Sequence, residues 1–81
     1  MNWIHRVNIK RFLGEGTDKA SIQKAYDGIT KELRQVPLPL PPEWHRYAKL
    51  AVREEDVNLF NLGMSALYDW ADQNRVWMGA L

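Results

Sequence analysis

The chain has no cysteine. Disulfides, thiolate zinc sites, iron–sulfur clusters and thiol nucleophiles are thereby excluded, and redox chemistry does not constrain the compartment. No run approaches the roughly eighteen apolar residues that a bilayer-spanning helix requires. Met1-Asn2-Trp3-Ile4-His5-Arg6 carries polar groups where a signal peptide would need a long apolar core. The expectation is a cytoplasmic protein without membrane association. Charge is nearly balanced as well: 11 basic and 10 acidic residues leave a net charge of +1. That excludes an acidic nucleic-acid mimic and argues against a strongly basic nucleic-acid wrapper. A length of 81 residues allows a single domain, and 46% hydrophobic with 26% charged residues is the composition of a globular one.

What is present reads mainly as helix. Ile22, Tyr26, Ile29, Leu33 and Val36 fall on one narrow helical stripe and predict a helix over 18–36. Thr17 is its natural N-cap, Asp18 suits the positive end of its dipole, and Pro37 stops it. Pro37-Leu38-Pro39-Leu40-Pro41-Pro42 must be extended, a stiff strap between two helices. Pro42 fits the first position of the next helix, where a missing N–H costs nothing. Trp44, Tyr47, Ala48 and Ala51 form one face of that helix, predicted over 42–53, with Val52 at its margin.

Leu59, Phe60, Met64, Leu67, Trp70 and Ala71 form a second stripe, turned about 130–140° from the direction of Trp44 if the helix ran straight on. A break therefore belongs in Arg53-Glu54-Glu55-Asp56, with Asp56 capping a last helix over 56–73. The first thirteen residues fit two patterns. As a strand, Trp3, Val7 and Ile9 share a face with His5 between them, but no other segment reads as a partner, so the strand would need a second chain. A helix is favoured there.

The chemical motifs are weak. Gly14-Glu15-Gly16-Thr17 opens a helix like a phosphate-cradling loop, yet Lys19 stands where the dinucleotide fingerprint needs its third glycine, and the glycine-lysine pair of a P-loop is absent. Gly63-Met64-Ser65-Ala66-Leu67 lacks the second glycine of a nucleophile elbow and lies within a helix. Glu43 and His45 diverge by about 200° on a helix and cannot share a metal. Asp69 and Asp72 lean together but lack a third ligand and read as a solvated face. The proline strap lacks the flanking basic residue that orients a polyproline ligand, so it reads as a spacer. No enzyme, cofactor or metal site is expected.

The aromatic content is the distinctive feature, with 4 tryptophans in 81 residues. Trp44 and Trp70 fit core stripes. Val76-Trp77-Met78-Gly79-Ala80-Leu81 is an apolar tail where chain ends are often polar, and it either folds back over the helices or forms an interface.

The expectation is an all-α fold, a small three- to four-helix single domain over 1–81 with a proline-rich connection between the second and third helices. Residues 1–16 form an N-terminal element and 73–81 an apolar C-terminal tail. The helices over 18–36 and 56–73 pack antiparallel with Trp44 and Trp70 between them. The expected function is a non-enzymatic protein–protein interaction module, a small stand-alone adaptor or inhibitor that binds a larger macromolecule or self-associates. Its interface would be Trp3, Val76, Trp77, Met78 and Leu81. The alternative is a small nucleic-acid-binding protein using Arg6, Lys10, Arg11, Lys24 and Lys31 against phosphates.

Overall fold

A computed structural model of the chain describes residues 5–9 and 16–79. In chain order the elements are β1 (His5–Val7), α1 (Lys19–Leu33), α2 (Pro42–Glu54), α3 (Val57–Asn74) and β2 (Val76–Met78). Three helices dominate, and among the described residues none is long and apolar enough to cross a membrane.

The helix limits follow their punctuation. Pro42 occupies the first turn of α2, and Asp56 caps α3, its side chain accepting the Asn58 N–H at 2.9 Å. Helix α1 stops at Leu33, three residues short of the expected end. Val36 still reaches the core through a tight turn in which its N–H donates to the Leu33 carbonyl at 3.0 Å. In the strap, Leu38 and Leu40 turn to the core while Pro37 and Pro39 face outward.

The cap of α1 differs from the expectation of Thr17. The N-cap is Asp18, which makes no side-chain cap bond and instead accepts the Ser21 hydroxyl at 2.5 Å. The first N–H of the helix, that of Lys19, donates to Glu55 Oε2 at 2.9 Å. Glu55 ends α2 in the left-handed region at φ 52°, and so the C-cap of one helix supplies the N-cap acceptor of another.

The expected pairing of the 18–36 and 56–73 helices is corrected. The central helix is α2, which packs on α3 and on α1, whereas α1 and α3 scarcely meet. Trp44 explains the order. It is fully buried, with its ring 5.3 Å from Tyr26 of α1 on one side and 5.5 Å from Phe60 of α3 on the other. Gly63 permits the close α2–α3 crossing, since a Cβ there would sit 3.2 Å from Trp44 Cε3 and 3.4 Å from the Trp44 carbonyl oxygen. Gly63-Met64-Ser65-Ala66-Leu67 is thus a helix-crossing point, with Gly63 against Trp44 and Tyr47. Trp70 lies at the edge, half-buried, and donates its indole N–H to the Pro39 carbonyl at 2.9 Å.

The N-terminal segment is a strand where a helix was expected, and its partner is the chain's own tail. β1 and β2 pair in parallel, His5 with Val76, Arg6 with Trp77 and Val7 with Met78. Val7, Ile9, Val76 and Met78 are buried in the same core as the helices. Burying these apolar side chains stabilises a pair too short to hold alone.

Candidate functional site

Besides an open hollow on α1 lined by Ala20, Gln23, Lys24, Asp27, Gly28 and Lys31, two surfaces among the described residues combine chemistry-bearing side chains with a concavity. The first lies on the seam between α1 and α2. Tyr26 and Thr30, four residues apart, project from the same side of α1, and His45 comes from the first turns of α2 beside the Trp44 wedge. The indole N–H of Trp44 can only donate, and it reaches Thr30 Oγ1 at 3.1 Å. The Tyr26 hydroxyl and His45 Nδ1 share a hydrogen bond of 2.7 Å across the seam. Thr30, the polar member of the buried set, is partnered by the Trp44 indole, and among the described residues no buried side-chain nitrogen or oxygen lacks a partner.

The surroundings shift both titratable partners of the Tyr26–His45 bond. Burial raises the Tyr26 phenol, as does the nearby Asp27 carboxylate, against smaller opposing effects of Thr30 and Arg34. Burial lowers the His45 imidazole, helped by the positive charges of Lys49 and Arg34. The His45 imidazole therefore gives up its proton more readily than a free one. The cleft beside the pair encloses about 240 Å³ between Tyr26, Asp27, Thr30, Lys31, Arg34 and His45.

The second surface follows α3 away from the core. Among the described residues, Leu62 and Tyr68 are the exposed large hydrophobic ones, at 51% and 44% of their full exposure. Leu62 stands one turn before Ala66, which with Asp69, Trp70 and Gln73 lines a cleft of about 300 Å³ closed on the other side by Pro41 and Glu43. Asp69 and Asp72 are exposed, and α3 carries no lysine or arginine. The surface is apolar at one end and acidic at the other. Among the described residues no group of three His, Asp or Glu side chains is placed to hold a metal ion.

The residues expected at an interface are dispersed. Val76 and Met78 are withdrawn from any external surface, since their side chains fill the core behind β2. Trp77 alternates with them, points to the other face opposite Arg6, and keeps part of its surface. Trp3 and Leu81 lie outside the described residues, as do Lys10 and Arg11 of the basic set. Arg6, Lys24 and Lys31 are all exposed; Lys24 and Lys31 share the open hollow on α1, Lys31 also borders the α1–α2 cleft, and Arg6 belongs to the sheet. Sequence reasoning missed Leu62, Tyr68, and Tyr26 with His45. The stripe of α3 did offer one signal, because Leu62 and Tyr68 fall off it and are apolar without a core to fill. Compared with protein-family models, curated proteins and solved structures, the chain matches none.

Proposed function

We propose that the chain is a non-enzymatic protein-binding module, an adaptor or inhibitor acting in the cytoplasm, and that it docks its partner along the outer side of α3. The observation that carries this reading is exposed Leu62 standing in line with the cleft of Pro41, Glu43, Ala66, Asp69, Trp70 and Gln73. An apolar anchor next to an aromatic-walled pocket is the arrangement from which interface hot spots are built. Glu43, Asp69 and Asp72 around it, without a cation on α3, favour a partner whose matching surface mixes apolar side chains with lysine or arginine. Tyr68 belongs to the candidate surface as a second, separately testable contact.

The test is affinity capture from source-cell lysate with the wild-type chain and with a Leu62→Asp/Asp69→Lys variant, each with and without nuclease. Both positions are exposed, so the helical circular-dichroism signal should be kept. A discrete protein retained by the wild type after nuclease, and lost with the variant, is the expected result. Equal retention by both chains, or retention that disappears with nuclease, would overturn the reading. A shift from dimer to monomer in the variant would identify a second copy of the chain as the partner.

A further inference from the structure

The Tyr26–His45 bond fastens α1 to α2, yet the groups around it exceed what fastening needs. Lys31 and Arg34, three residues apart, lie on one side of α1 along the cleft wall, and Lys49 stands one turn beyond His45 on α2. Asp27 is the one acidic group in the lining, and its Oδ1 accepts from Gln23 Nε2 at 2.9 Å, one turn back along α1.

The geometry points to this cleft as a binding site for a single phosphate group, presented as inorganic phosphate or at the end of a phosphomonoester. Three nitrogen-bearing groups line it: the planar guanidinium of Arg34, the ammonium of Lys31, and the imidazole of His45, whose Nδ1 is engaged by Tyr26. A guanidinium fork and a point charge together suit a tetrahedral oxyanion better than a planar carboxylate, which one guanidinium satisfies alone. Size limits the ligand further. The volume of about 240 Å³ is below the range of roughly 300–1,000 Å³ typical of pockets that enclose a whole small molecule. One charged group fits, with the rest of any ligand left outside. The positive surroundings already felt by His45 are those a dianion would neutralise.

The chain supplies its own reporter, because it has 2 histidines and only His45 faces the cleft. Proton NMR would follow the pH titration of both imidazoles in sodium chloride, inorganic phosphate, phenyl phosphate and a single-stranded oligonucleotide without terminal phosphate, all at matched ionic strength. Phosphate is expected to raise the His45 pKa in a saturable way while His5 stays put. Arg34→Gln, at an exposed position, should weaken that effect at least tenfold without changing the helical signal. A stronger effect of phenyl phosphate would identify a phosphomonoester as the ligand, and an effect of inorganic phosphate alone would identify the free ion. The inference is overturned if chloride reproduces the shift, if both histidines move together, or if Arg34→Gln binds as well as the wild type. It is equally overturned if only the oligonucleotide acts, since the surface would then be a track for a polyanion.

Discussion

Glu55 and Arg75 offer a matched pair for measuring a cap made between helices. Both are exposed, both end a helix, and both adopt the left-handed conformation, at φ 52° and φ 58°. A non-glycine residue held there costs about 1–2 kcal/mol, and glycine removes that cost while adding about 0.5–1 kcal/mol of unfolded-state freedom. Arg75→Gly is therefore expected to stabilise the fold by about 0.5–1 kcal/mol. Glu55→Gly gains the same backbone relief but loses the carboxylate that accepts the Lys19 N–H, a loss of about 1 kcal/mol. The net effect at Glu55 is near zero or slightly destabilising. Alanine gives the complementary contrast: Arg75→Ala keeps the backbone cost and should be nearly neutral, while Glu55→Ala should lose about 1 kcal/mol. Urea unfolding followed by circular dichroism resolves such differences, which correspond to about 4–8 °C in midpoint temperature for a domain of this size. If the two glycine variants change stability equally, the cap across helices contributes nothing and the reasoning fails.

Three other perturbations have defined outcomes. Gly63→Val drives a branched side chain into Trp44 and Tyr47 at the α2–α3 crossing and should cost about 1–3 kcal/mol, read by the same urea titration. Trp44→Phe removes the wedge volume and the bond to Thr30, and a loss of about 2–4 kcal/mol should appear as a large drop in melting temperature. For His45, burial with Lys49 and Arg34 nearby depresses the folded pKa, so the unfolded chain takes up the proton first. Its contribution to stability is complete above the unfolded value of about 6.5 and is lost as pH falls through the folded value. Urea midpoints measured from about pH 8 down to pH 5 should decline in the wild type and decline less in His45→Gln.

The helices were legible because their ends are written in local chemistry. Pro42 and Asp56 act through their own backbone or side-chain geometry, and each does so where expected, whereas α1 already ends at Leu33, short of Pro37. The packing order was not legible, because it depends on Gly63 meeting Trp44, an approach that no stripe on either helix encodes. The strand pair escaped for a related reason. His5-Arg6-Val7 and Val76-Trp77-Met78 are each too short to show a period, and each identifies the other only when both are brought together. The Tyr26–His45 bond links residues 26 and 45 on different helices, with His45 off any apolar stripe. Glu55 was placed correctly in a break between helices, but its role as a cap for α1 required the third dimension.

The parallel direction of β1 and β2 has a mechanical meaning. The backbone enters the ladder before His5 and leaves it after Met78, at opposite ends of the two strands. Tension transmitted from outside them slides one strand lengthwise past the other and loads the rungs together. A hairpin under the same tension would open one rung at a time. The ladder is a shear latch that bypasses the chain between the two strands, so α1, α2 and α3 carry no load until it yields. A motor or a tethered partner drawing on both ends would meet that latch first.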